Sequence, residues 1–173
     1  LIEVPGMLPW GAELRADTIT EKDAELMKRS NCSGIATGVE TVDEEVLKFN
    51  GKYQNTAREK RGIEILKEAG MSVQLFFIVG LPAETPQTFQ KTLDFVKSLP
   101  LKSGEDKLEF FLPTPYPGSD MVMHPEKYGV KILDQDYTKY NCRELLLETS
   151  QLSKKDIKKM YNKAIALQKE LRL

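Results

Sequence analysis

Apolar residues along this chain fall into two kinds of pattern, short runs of strand length and longer stretches recurring every three or four positions, and the two kinds alternate. That alternation predicts βα units on a parallel sheet. Strands are expected near residues 9–15, 34–39, 72–79 and 108–112. The run SVQLFFIV at 72–79 reads as apolar on both faces, like a strand covered from two sides. The helical stretches open with side chains that can accept hydrogen bonds from unpaired first-turn amides. Thr20 with Asp23, Thr41 with Glu44, Thr56 with Glu59 and Ser153 with Asp156 have capping-box spacing. Thr85 before Pro86 places proline at a first helical position, where no amide bond is lost. The 56–69 stretch presents Ile63, Leu66 and Ala69 on one face and stops at Gly70.

Beyond residue 118 the pattern changes, which divides the chain into a βα portion, 1–118, and a C-terminal portion, 119–173. Residues 119–151 are polar and tyrosine-containing, and a helix is expected near 138–148. In the last stretch Ile157, Met160, Ala164, Leu167 and Leu171 recur at spacings of three and four, an amphipathic helix that docks on the body. Residues 151–173 hold seven Lys or Arg against two acids, so this segment is +5 and the rest of the chain about −6.

The 173 residues are 40% hydrophobic and 29% charged, a globular composition that excludes disordered and collagen-like architectures. A net charge of −1 gives no global field toward nucleic acid or an anionic membrane. The lysine-rich final helix is read as a solvated face, so nucleic acid is not an expected partner. The longest nearly unbroken apolar run, residues 75–83, is too short to span a bilayer, and no membrane partner is expected. The start LIEVPGMLPWGAELRAD has neither an initiator Met nor a signal-peptide pattern. The chain therefore reads as a piece of something longer, and Cys32 and Cys142, 110 positions apart, as reduced cytoplasmic thiols.

Ligands of βα sheets gather at the carboxyl ends of strands. The first strand ends in Glu13-Leu14-Arg15, where period-two alternation puts Glu13 and Arg15 on one face. They either point into a barrel lumen or form an ion pair with each other. Glu40 follows the second strand, where a carboxylate can accept two hydroxyl hydrogen bonds, as a ribose diol requires, or supplement a helix cap. Gly80 and Pro82 suit a tight strand-to-helix turn that brings backbone close to a ligand, or a turn alone. His124, the only histidine, reads as a surface loop residue, and Cys32 as a structural thiol. The pairs Phe76-Phe77 and Phe110-Phe111 read as core or barrel wall.

Taken in order, WGAELRAD, SGIATGVETVDEEVLKFNGK, IEILKEAGMSVQLFFIVGLPAETPQTFQKTLDFVKSL, FFLPTPYPGSDM and HPEKYG, from residue 10 to about 129, resemble the radical S-adenosylmethionine enzymes. The likeness is greatest to the group in which a cobalamin-binding domain precedes the radical domain. The resemblance implies a partial (β/α) barrel, the third to sixth strands of a (β/α)6 barrel, with a C-terminal helical appendage. It implies a [4Fe–4S] cluster that reductively cleaves S-adenosylmethionine to a 5′-deoxyadenosyl radical for hydrogen abstraction or methyl transfer. The family's CxxxCxxC loop has no counterpart here, so the cluster ligands are expected upstream, no metal ligand is assigned, and the chain alone is expected to be inactive.

Residue by residue, the resemblance gives Glu40 the ribose hydroxyls and Lys52 the methionyl carboxylate. Glu13 and Arg15 become third-strand positions facing the cofactor, and Gly80 and Pro82 part of a GLPGET-like loop in which Ala83 replaces a glycine and, further on, Ser119 stands for threonine. It assigns no catalytic side chain and no substrate. The competing reading is a non-catalytic α/β interaction module that binds a partner through its basic C-terminal helix. Self-association is expected through residues 1–15, an edge that missing neighbouring strands would leave open.

Overall fold

The computed structural model describes residues 8–173. Four parallel strands lie side by side in sequence order: β1 (Trp10–Glu13), β2 (Cys32–Glu40), β3 (Ser72–Ile78) and β4 (Lys107–Phe111). Each lies within about two residues of its expected position at either end. Between them run α1 (Glu21–Arg29), the pair α2 (Glu44–Phe49) and α3 (Thr56–Glu68), and α4 (Pro86–Lys97). Parallel pairing requires such crossovers, because a short hairpin cannot return a chain to the same end of a sheet.

Strand alternation divides the sheet into two unequal faces. Ile35, Thr37, Val73, Leu75, Phe77, Leu108 and Phe110 are buried beneath helices, whereas Ala36, Gly38, Gln74, Phe76, Ile78, Glu109 and Phe111 are only partly covered. The expectation that 72–79 is covered on both faces is therefore corrected. Its second apolar set, Phe76 and Ile78, lines a concave surface instead of a core.

Capping boxes form at Thr20 with Asp23, at Ser153 with Asp156, and at Thr85 with Thr88 ahead of Pro86. The other two expected caps do not form. Asp43 caps α2 by accepting from the Val46 amide, and Asn55 caps α3 by accepting from the Arg58 amide. Thr41 instead lies buried with its hydroxyl 3.3 Å from that of Thr92, and Glu59 points inward. α3 ends where expected, before Gly70 at φ +79°.

The expected helix at 138–148 is absent. Two short helices, α5 (Asp120–Met123) and α6 (Pro125–Tyr128), lead into an antiparallel pair of β5 (Val130–Ile132) and β6 (Leu147–Thr149). Leu147 is buried in this pair, beside buried Leu146 and partly buried Leu145. The last helix, α7 (Lys154–Leu171), buries Ile157, Met160, Ala164 and Leu167 as its periodicity requires. Among the described residues no helix is long and apolar enough to cross a membrane. Residues 1–7, nearly half of the 1–15 segment expected to mediate self-association, lie outside the described residues.

Candidate functional site

At the carboxyl ends of the strands the open face forms two adjoining cavities, of about 530 Å³ and 470 Å³, and Glu40 and Lys52 line both. Phe76, Ile78, Phe111 and Leu112 wall the larger one. The smaller is the more polar of the two, with Glu13, Arg15, Tyr53 and Gln54 in its lining.

The backbone around Glu40 is unusual. It has φ +63°, and the Thr41 amide donates to the Val39 carbonyl at 2.8 Å, closing a three-residue γ-turn centred on Glu40. The ladder shifts at the same place: Gly38 pairs with Phe76, but Glu40 pairs with Phe77, two residues against one. The bulge sets Glu40 level with Phe77 and still on the open face. Its carboxylate there accepts from the Lys52 ammonium at 2.5 Å. Gly38 makes room for this, since a Cβ on it would lie 2.7 Å from Glu40 Oε1.

Glu13 is exposed on the wall of the smaller cavity and does not pair with Arg15. Arg15 grips Asp17 with two hydrogen bonds, at 3.0 and 2.6 Å, and donates to the Tyr53 carbonyl at 2.7 Å. The guanidinium holds the Asp17 carboxyl below its ordinary pKa. Gly80, at φ +92°, makes its close approach to α7, because a Cβ there would lie 2.8 Å from Ile157. The Pro82 carbonyl accepts from the Asn50 side chain at 2.9 Å. These two residues shape the turn; Leu81 between them is the one that lines the larger cavity.

Sequence reasoning passed over several residues here. Glu84 is fully buried and accepts from the Gly80 amide at 2.6 Å; burial pushes its pKa up to about 8. The pattern of a Gly four residues before a Glu in a strand-to-helix turn was its available signal. Tyr116, Asp120, Tyr128 and Cys142 reach the larger cavity from the 113–142 region, which had no local periodicity to announce them. The Tyr116 hydroxyl lies 3.4 Å from the Cys142 thiol, and this neighbour raises the phenol pKa. Cys32 is buried, and burial raises its thiol pKa, as befits a structural residue. His124 is exposed.

The family profile described as "Radical SAM superfamily" matches residues 3–96, just over half of the chain. An uncharacterized methyltransferase of Pyrococcus horikoshii is 27% identical over 157 residues, 91% of this chain and 33% of the relative. A bacteriochlorophyllide d C-12(1)-methyltransferase of Chlorobaculum tepidum is 25% identical over 167 residues, 94% of this chain and 34% of that protein. The chain thus spans about a third of the length of these curated relatives. Among solved structures, coproporphyrinogen III oxidase from Escherichia coli, a radical SAM enzyme, superposes with a TM-score of 0.66 at 18% identity, over 92% of this chain and 32% of that one. The radical S-adenosylmethionine methyltransferase TsrM from Kitasatospora setae, with tryptophan and a SAM analog bound, gives 0.66 at 16% identity, over 92% and 36%. The four-stranded parallel sheet matches part of the radical SAM barrel.

Proposed function

The chain belongs to the radical SAM superfamily, and from that membership we propose that it supplies the cofactor-binding half-barrel of a methyltransferase-type enzyme that cleaves S-adenosylmethionine reductively. β1–β4 correspond in this reading to the third to sixth strands of a six-stranded barrel. The same reading assigns 1–118 to the barrel portion and 119–173 to a C-terminal helical appendage.

One observation carries the reading. Glu40, a non-glycine residue, is held in the strained γ-turn at a strand end, and its side chain faces an ammonium at the junction of two cavities. Strain of this kind persists only where the surroundings over-determine it, and it concentrates at ligand sites. The groups present fit a zwitterionic nucleoside: a carboxylate for the ribose diol, an ammonium for the methionyl carboxylate, and an apolar wall of Phe76, Ile78, Phe111 and Leu112. Binding exchanges the Glu40–Lys52 pair for these two complementary contacts, while Glu13 faces the cofactor from β1 and the Gly80–Pro82 turn supports the wall. The wall's further task is to keep water from reactive species.

Reductive cleavage belongs to the cofactor and an iron–sulfur cluster. Among the described residues no group of three or more His, Cys, Asp or Glu could hold a metal ion, so no step is assigned here to the cluster, whose ligands this reading places elsewhere in the enzyme. A cobalamin in a separate domain is part of the same reading, supported by the likeness in fold to the methyltransferase TsrM, which has also been solved with cobalamin bound.

The test is calorimetry of S-adenosylmethionine binding to the full-length enzyme. Glu40→Ala and Lys52→Ala are each expected to weaken binding by roughly five- to 150-fold, the value of about 1–3 kcal/mol for a polar group left unpaired. Unchanged affinity in both would remove the assignment.

A further inference from the structure

We infer that Arg15 is a positioning residue: through the Tyr53 carbonyl it holds the segment that delivers Lys52 to Glu40, and it does not itself bind the cofactor. Three of its N–H donors are committed, two to Asp17 and one to Tyr53. A fork already filled by a carboxylate offers a ligand carboxylate little.

Its own anchorage runs into the core. The Asp17 amide donates to Glu59 Oε2 at 3.1 Å, and the Thr37 hydroxyl donates to Glu59 Oε1 at 3.0 Å while accepting from the Ala16 amide at 3.2 Å. Thr37 and Glu59 are 0% and 2% exposed. Gly62 of α3 lets this happen, because a Cβ there would lie 1.9 Å from the Ala16 carbonyl oxygen. The Ala16–Thr18 turn is thereby clamped between β2 and α3, and Arg15 projects from a fixed base.

At the other end, the 50–54 segment has two further side-chain ties, from Asn50 to the Pro82 carbonyl at 2.9 Å and from Gln54 to the Gly38 carbonyl at 3.1 Å. Both are neutral amides. The Arg15 bond at 2.7 Å is charge-assisted, the stronger kind, and it sits on the residue next to Lys52. The functional weight of this inference rests on the roles given above to Glu40 and Lys52.

The experiment uses this chain without any ligand. Lys52 reactivity toward an acetylating N-hydroxysuccinimide ester is read by peptide mass spectrometry, beside ammonium-detected NMR of the Lys52–Glu40 hydrogen bond. Arg15→Ala is expected to raise Lys52 acetylation roughly tenfold, in the range of one charge-assisted hydrogen bond, and to remove the ammonium signal. Arg15→Lys is expected to do the same, since a point charge cannot span Asp17 and Tyr53 as a planar fork does. Arg61→Ala, which breaks only the exposed pairs to Glu21 and Glu68, is expected to leave Lys52 unchanged. Should Arg15→Ala fail to fold, the milder Arg15→Lys carries the same readout.

Unchanged Lys52 reactivity in either folded Arg15 variant overturns the inference. A loss of S-adenosylmethionine affinity in full-length Arg15→Ala without a change at Lys52 also overturns it, because Arg15 would then touch the cofactor directly. A change at Lys52 without loss of affinity upholds the positioning role and counts instead against the cofactor roles of Glu40 and Lys52.

Discussion

The two faces of one sheet each carry a pair of phenylalanines and put them to different work. Phe77 and Phe110 lie beneath helices with ring centroids 5.4 Å apart and no exposed surface, whereas their sequence neighbours Phe76 and Phe111 face each other at 5.8 Å across a cavity wall. Polar groups divide the same way. On the helical side Glu59 and Asp106 are buried and held by amides, a hydroxyl and an ammonium, while on the open side Glu40 meets Lys52 half in solvent. A period of two thus lets consecutive residues serve stability and binding separately, and mutations one position apart should separate as well.

The largest expected separation is between two phenylalanines. Phe77→Ala should cost about 3–5 kcal/mol through lost burial and a cavity. Phe76→Ala should cost about 1 kcal/mol, since that side chain is only partly withdrawn from water. Urea denaturation of both variants measures this, and equal losses would erase the distinction between the faces.

Glu84 tests whether the Gly80–Thr85 turn belongs energetically to the covered side. Its folded pKa of about 8 lies above the ordinary 4.5, so its protonated form is favoured by folding. That contribution is fully present below pH 4.5 and is lost as pH rises through 8. The span is at most on the order of 4–5 kcal/mol. Stability measured from pH 5 to 9 should fall, and Glu84→Gln should flatten the profile. A wild-type profile already flat would mean that Glu84 reaches water.

A smaller effect concerns Ala83, where the resemblance had led one to expect glycine. Its φ of +68° is left-handed backbone, which costs a side-chain-bearing residue about 1 kcal/mol. Ala83→Gly should stabilise the chain by roughly that much, offset in part by glycine's greater freedom when unfolded. A lowered thermal midpoint would show that the Ala83 methyl makes contacts that outweigh the strain. The smallest effect is expected on α7: reversing the exposed Lys154, Lys155 and Lys158 should leave the denaturation midpoint unchanged. A marked shift would mean that this face is not merely solvated.

The sheet was legible because strand and helix periods are local and three of the five helix starts carry unambiguous caps. Thr41 and Thr56 misled because Asp43 and Asn55 stand close by and accept amide bonds at least as well. No local pattern could show that Glu59 would turn inward, since its partners Thr37 and Asp17 are more than twenty residues away. The segment 130–149 failed for a related reason: Leu147 is buried by pairing with Ile132, and nothing near either residue encodes that partner. At the site, resemblance singled out Glu40 and Lys52, which the fold brings together. The clamp on Arg15 and the cavity positions of Tyr116 and Cys142 arise from chain segments that meet only in the folded molecule.

The extra residue in β2 has a consequence for length variation. Because two residues of β2 face one of β3 at the bulge, deleting Val39 would leave a more regular ladder, with Glu40 following Gly38 directly. Regularity would turn the carboxylate toward the helices, since a shift of one residue reverses every side chain beyond it. A one-residue insertion at the same point would likewise turn it toward the helices and would displace the following turn. Around this strand end the number of residues, and not only their identity, decides which way the carboxylate faces.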